Sequence, residues 1–289
     1  ERARHIEVVD GTVMAEPPAL EQIARRAIDG DREALNQLVR AVQGDVYGLA
    51  VRMLWNRENA EDATQEVLVR IVTRLSQFDF RSRLRTWVYR VAVNYLLDVK
   101  KSPLERLDLT FERFAADLAE GLSTEGTSDQ ERSILIEEVK IGCTLGMLQC
   151  LDRPHRLAYI LGEILEFSGP EAAEILGLAP SAFRKRLERA RESIAEFTRA
   201  HCGLVSDSAS CQCNRRVSAA RRLGRVRPQA FDFARDASSF DAARAMVRRV
   251  EEARRALAVH RVSHPSGPSV DFARRILDEL DPSTRRADG

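Results

Sequence analysis

Residues 170–191 read PEAAEILGLAPSAFRKRLERAR, two helical patterns divided by a glycine. Pro170 suits the first turn of a helix, where its missing N–H has no intrahelical partner. Ala172, Ala173, Ile175 and Leu176 supply an apolar face. Gly177 can take the left-handed conformation that stops a helix and turns the chain. Leu178 plugs the turn and Pro180 opens the next helix. Phe183, Leu187, Ala190 and Ile194 then recur at i, i+4, i+7 and i+11, an inward stripe. Arg184, Lys185, Arg186, Arg189 and Arg191 fall mostly off that stripe. A short helix, a Gly-centred turn and a cationic second helix form a helix-turn-helix pattern, which sets its second helix in the major groove with cations beside the phosphates. Taken alone, the window also suits an Arg-rich face standing in solvent.

A second window favours the first of these readings. Residues 44–101 run GDVYGLAVRMLWNRENAEDATQEVLVRIVTRLSQFDFRSRLRTWVYRVAVNYLLDVKK. This stretch resembles domain 2 of the extracytoplasmic-function (ECF) sigma factors, the promoter-recognition subunits of bacterial RNA polymerase. AEDATQEVLVRI and FRSRLRTWVYRVAVNYLLDVKK carry the likeness. The first window is similar to domain 4 of the same family, whose second helix commonly ends in an R-L-x-R-A-R run, here Arg186 to Arg191. The two windows stand in the family's order, and with their connector the resemblance covers residues 20–199.

Composition sets the remaining bounds. The 289 residues suffice for two domains plus linkers, and the net charge of +1 gives no overall basic field. DNA affinity must therefore come from local patches. No run approaches ~18 consecutive apolar residues, so no membrane insertion is expected. No apolar leader appears near Glu1, and a cytoplasmic location is the expectation. Five cysteines, an odd number, argue against a disulfide framework in such a chain.

The expected fold is all-α: two helical bundles, sigma domain 2 and sigma domain 4, joined by an acidic linker and followed by a helical C-terminal extension. Residues 1–18 are read as a flexible N-terminus. Residues 19–102 form the first bundle, with Asp31 a helix N-cap and a turn at Asn56–Asn59. Pro103 opens the connector 103–132, where eight acidic residues face three basic ones and Gly121, Ser123, Thr124, Gly126, Thr127 and Ser128 mark a flexible centre. Residues 133–199 form the second bundle, entered through Asp152-Arg153-Pro154. Cys143 and Cys150 lie among its apolar positions and read as buried small hydrophobes.

The resemblance implies roles. On the second helix of the helix-turn-helix, Ser181, Arg184, Lys185, Glu188 and Arg189 are the candidates for the −35 element, with Ser181 able to cap backbone donors or touch a phosphate. Arg81, Ser82, Arg83, Arg85, Arg90, Asn94, Asp98 and Lys101 are the candidates for the −10 element, where cations hold phosphates and polar or aromatic groups trap unstacked bases. The loop Asp79–Arg83 falls where the family captures a flipped base, and glycine is common there where Phe80 stands. Trp87 reads as core rather than as a stacking platform. Asp62, Gln65, Glu66 and Arg70 lie on the helix that, by resemblance, docks on core RNA polymerase. The implied partners are core polymerase and promoter DNA, with an anti-sigma factor as a further candidate.

Residues 200–289 exceed the two-domain pattern. His201, Cys202, Cys211 and Cys213 could fill a tetrahedral zinc or copper site, with His260 or His264 as alternative fourth ligands. No cofactor is required by the implied activity. A linker with incidental thiols and a redox switch are the competing readings. Asn214 to Leu223 reads as a short helix closed by Gly224. Phe240, Ala243, Met246, Val247, Val250, Ala253 and Leu257 read as one helical stripe, and Phe272, Ile276, Leu277 and Leu280 as a last helix, with fraying after Asp281. Between Arg215 and Arg261 thirteen arginines face five acids, which suits contact with DNA, polymerase or the acidic connector.

Two further function classes stand beside this one. A stand-alone helix-turn-helix regulator explains residues 170–191 but leaves 44–101 without a role. An enzyme would need a phosphate loop, a His-Glu-x-x-His pair or a nucleophile elbow, and none is present.

Overall fold

The computed structural model describes residues 20–99, 105–122, 130–227, 231–235, 240–249, 255–261 and 263–280. The N-terminal stretch 1–18, Lys101 and the tail beyond Asp281 lie outside them. Among the described residues every regular element is a helix, and one isolated β-bridge joins Cys202 to Cys211.

The first bundle contains α1 (Leu20–Ile28), α2 (Arg32–Leu54), α3 (Arg57–Thr73) and α4 (Leu84–Asp98). Asp31 caps α2 as expected, its Oδ1 accepting the Ala34 N–H at 3.0 Å. The stripes around Leu38 and around Ala50 belong to one 23-residue helix, because Gly44 between them is helical and meets no obstacle. The break comes at Trp55, in the left-handed region at φ 48°. Asn56 then caps α3 through the Asn59 N–H at 2.8 Å, so the turn sits one or two residues earlier than its asparagines suggested. Leu38, Leu49, Met53, Leu68, Ile71, Leu84 and Leu96 are fully buried between these helices.

The connector is not a bare tether. Phe111–Ala119 forms α5, capped by the Thr110 hydroxyl, which accepts the Arg113 N–H at 3.2 Å. Phe114 and Leu118, one turn apart, are buried, and the Phe114 ring stacks on Phe197 at 5.5 Å. Charge content hid this i, i+4 apolar pair, which is enough to dock an acidic helix.

The second bundle contains α6 (Gln130–Gln149), α7 (Arg153–Tyr159), a π turn (Ile160–Ile164), α8 (Gly169–Leu176) and α9 (Pro180–His201). At Gly162 in the π turn a Cβ would stand 2.7 Å from Leu187 Cδ2, so glycine is what lets α9 approach this closely. Ser168 and Glu171 form a capping box at the start of α8. Gly177 ends α8 at φ 63°, the left-handed turn expected of it.

A buried charge network ties the two bundles and the connector together. Glu105 accepts from Arg153 Nε at 3.0 Å and Nη2 at 2.8 Å, and from Arg156 Nη1 at 2.9 Å. Arg153 also donates to the carbonyls of Leu96, Leu97 and Val99 at the end of α4. Arg156 reaches the Met53 carbonyl in α2 and those of Leu148, Gln149 and Leu151 around the end of α6.

The extension wraps both bundles. α10 (Cys213–Arg222) packs on α6, α12 (Arg255–Arg261) on α9 and the π turn, and α13 (Phe272–Leu280) on α2 and α3. The stripe from Phe240 to Leu257 is not one helix. α11 (Phe240–Arg248) and α12 are separate, Val250 and Ala253 lie outside the described residues, and Met246 stands 57% exposed. Phe240, Ala243 and Val247 are buried at a helical i, i+3, i+7 spacing, and Met246 falls off that face.

Candidate nucleic-acid and polymerase interfaces

On α9 the burial pattern separates structure from surface. Phe183, Leu187, Ala190, Ile194 and Phe197 face the core. Ser181, Arg184, Lys185, Glu188 and Arg189 are all exposed. Among the described residues Arg184, Lys185 and Arg189 form no ion pair, whereas Arg191 pairs with the nearly buried Glu163. A phosphate or base edge approaching these three cations would have no ion pair to break. Ser181 does not cap the helix. Ala179 holds the N-cap position and no side chain bonds there.

The loop before α4 places Phe80 at φ 60°, a conformation that glycine adopts freely and a bulky residue does not. Phe78 at 4.5 Å between ring centroids and the Arg25 guanidinium at 3.9 Å above the Phe80 ring hold it there. Trp87 is half-buried, 5.6 Å from Phe78, between the core position expected of it and an exposed platform. Arg81 pairs with Asp79 at 3.2 Å with its side chain 88% exposed, and Ser82 is half-buried. Arg90, Asn94 and Asp98 follow one another at i, i+4, i+8 along one edge of α4, with Asn94 and Asp98 exposed.

The remaining α4 cations already have partners. Arg83 faces Glu171 at 3.7 Å, and Arg90 Nη2 donates to Glu174 at 2.6 Å. Arg85 lies 3.4 Å from Asp45 and 4.3 Å above the Phe167 ring, which meets Tyr89 edge-on at 4.9 Å. Both glutamates belong to α8, the first helix of the helix-turn-helix. Arg83 and Arg90, expected on phosphates, face acidic residues of the second bundle, whereas Arg85 faces Asp45 of α2 in the first.

On α3, Asp62 and Glu66 are exposed, and Gln65 and Arg70 are half-buried. Glu66 accepts from Arg70 at 3.0 Å, and the Arg70 guanidinium lies 4.6 Å over the Tyr95 ring. Burial, with the Glu66 charge adding, raises the Tyr95 pKa. Gln65 lies on a neighbouring edge, where Arg275 of α13 donates to it at 3.4 Å. Asp62 and Glu66 stay exposed one turn apart, with the half-buried Arg70 one turn further along.

The cysteines assemble differently from the expected set. Among the described residues no three His, Cys, Asp or Glu side chains are arranged to hold a metal ion. The His201 ring lies 5.0 Å from Phe197, His260 meets Tyr159 at 5.3 Å, and His264 faces Arg52 at 3.3 Å. Cys143 of α6 lies near Cys202, Cys211 and Cys213 instead, where α10 packs on α6. The bridge between Cys202 and Cys211 is closed by the Gly203 N–H donating to the Cys211 carbonyl at 2.9 Å. Burial raises all four thiol pKa values, Cys211 to about 11, and neighbouring thiolates add to the shift at Cys143, Cys211 and Cys213. Nothing in the spacing of Cys143 pointed to this cluster.

The basic extension does meet the acidic connector. Arg216 and Arg225 both pair with Asp117 of α5, at 2.9 and 2.5 Å, and Arg216 also donates to the Glu120 carbonyl.

Comparison with known proteins matches this layout. The family description Sigma-70 region 2 matches residues 38–102, and Sigma-70, region 4 matches residues 141–194. The chain is 30% identical over 182 residues to the ECF RNA polymerase sigma factor SigW of Bacillus subtilis (strain 168), covering 59% of this chain and 91% of SigW. It is 31% identical over 182 residues to the RNA polymerase sigma factor NccH of Alcaligenes xylosoxydans xylosoxydans, covering 63% and 95%. A solved structure of CnrH in complex with the cytosolic domain of CnrY aligns over 60% of this chain and 92% of that one, at 25% identity and a TM-score of 0.43. The chain belongs to the ECF RNA polymerase sigma factors. It is a non-enzymatic subunit that directs RNA polymerase to promoters, and it is longer than these relatives by its C-terminal extension. The region 2 match removes the stand-alone regulator from consideration.

Proposed function

We propose that the exposed row Ser181, Arg184, Lys185, Glu188 and Arg189 on α9 contacts the −35 element. The edge of α4 and the loop Asp79–Arg83 engage the −10 element, and Asp62, Glu66 and Arg70 on α3, with Gln65 beside them, dock on core polymerase. One observation supports the division most: α9 buries an unbroken apolar stripe while Arg184 and Lys185 stand exposed without an ion pair among the described residues. Among the described residues no helix is long and apolar enough to cross a membrane. An anti-sigma factor is a further proposed partner, since a relative of this chain, CnrH, has been solved with CnrY.

The test separates DNA contact from docking. Arg184→Ala or Lys185→Ala should weaken promoter use by the equivalent of about 1–3 kcal/mol per lost base contact while polymerase binding holds. Glu66→Ala combined with Arg70→Ala should weaken polymerase binding first. Equal loss of polymerase binding in both sets would refute the division.

A further inference from the structure

The promoter-facing helices stand too close together for a promoter. α4 touches α8, and α9 follows α8 directly. Helices are about 10–12 Å across, so α4 and α9 are separated by roughly 20 Å. Elements centred near −10 and −35 lie about 25 base pairs apart, or about 85 Å of duplex at ~3.4 Å per step. The same contact sets α8 against α4, where Arg83 and Arg90 meet Glu171 and Glu174. A chain in this form cannot serve both elements, so initiation requires the bundles to part.

The extension adds an outer fastening to the Glu105 network and the contact of α4 with α8. On the second bundle, Glu138 of α6 accepts the backbone N–H groups of Asp232, Phe233 and Ala234 at 2.8, 3.0 and 2.6 Å. Arg261 of α12 pairs with Glu166 at 2.5 Å and donates to the Glu163 carbonyl at 3.2 Å. On the first bundle, Asp271 accepts from Arg40 at 3.1 Å, and Ser269 both accepts from Arg57 and donates to Glu61. Phe272, Ala273 and Ile276 of α13 are buried there. Ten residues separate α12 on one bundle from α13 on the other.

We propose that the C-terminal extension is an intramolecular strap, anchored on the second bundle by α10 and α12 and on the first by α13, that keeps the free sigma factor closed and unable to span a promoter. The inference rests on the assignment of α4 and α9 to the two promoter elements. A strap that keeps nine-tenths of the chains closed lowers apparent affinity about tenfold.

The test uses the full chain with two variants at the α13 anchor. Asp271→Arg sets like charges opposite Arg40 on an exposed edge, and Ile276→Asp removes a buried contact. Small-angle scattering of the free protein should show both variants expanding from a radius of gyration of about 19 Å, the size of a compact chain of this length. The sigma concentration giving half-maximal transcription with core polymerase, on a promoter the unmodified chain uses, should fall about tenfold. Limited proteolysis between residues 263 and 280 reports release of α13. Release without expansion would overturn the strap. Expansion with unchanged or weaker transcription would overturn its role in promoter access. Failure of the underlying assignment has a separate signature: Arg90→Ala with Asn94→Ala, and Arg184→Ala, would leave promoter use unchanged while scattering still reported opening.

Discussion

Replacing Glu105 by Gln should unlatch the junction of the two bundles. The carboxylate is 2% exposed and accepts three N–H bonds from two guanidinium groups. Glutamine keeps the size and one acceptor but removes the negative charge. Arg156, 4% exposed, would keep its carbonyl partners and lose its counter-charge. Burial already lowers the Arg156 pKa, with Glu105 opposing that shift, so loss of Glu105 exposes the full desolvation penalty. Breaking one side of a buried pair costs about 3–5 kcal/mol, and the retained amide oxygen puts this case near 3 kcal/mol. At about 2–4 °C per kcal/mol for a chain of this size class, the midpoint of thermal unfolding should fall by roughly 6–12 °C. Urea and thermal unfolding followed by circular dichroism measure it, with Glu196→Gln on the exposed face of α9 as a control expected within about 0.5 kcal/mol. A Glu105→Gln midpoint within 2 °C of the parent, about 1 kcal/mol or less, would refute the claim that this network fastens the bundles.

Two further outcomes follow from buried titratable groups. Burial, with Arg52 adding to it, lowers the His260 pKa from its ordinary value to about 3, so the folded chain holds a neutral imidazole while the unfolded chain protonates it near pH 6.5. Its share of stability is therefore full above that pH and is lost as pH falls, by about 2 kcal/mol between pH 6.5 and 5. His260→Phe should flatten that slope, and an unchanged slope in unfolding titrations would show that His260 is protonated in the fold. The raised pKa values of Cys143, Cys202, Cys211 and Cys213 leave little thiolate at pH 8. Iodoacetamide should alkylate these thiols about a hundredfold more slowly in the native chain than in urea, with mass spectrometry locating the sites. A fast native site among the four would identify a reactive thiol instead.

Much of the molecule is decided along the chain. The helix-turn-helix follows from Pro170, Gly177 and the stripe from Phe183 to Ile194, because turn chemistry and helical period are local properties. Asp31 and Asp152 cap their helices through backbone groups three residues away, and so could be read in place. Exposure of Arg184 and Lys185 follows from the same period. Tertiary packing decides the rest. Arg83 and Arg90 are equally cationic whether they meet phosphate or α8, and only the approach of α8 selects the glutamates. Cys143 reads as a buried hydrophobe until the fold brings Cys202, Cys211 and Cys213 near it. An acidic connector reads as a tether until Phe114 and Leu118 find α6 and α9. The route of the extension is likewise invisible in its composition. Its anchors, Glu138 with Ala234, Arg40 with Asp271 and Arg57 with Ser269, pair residues 96, 231 and 212 positions apart, and no local propensity reports contacts at such separations.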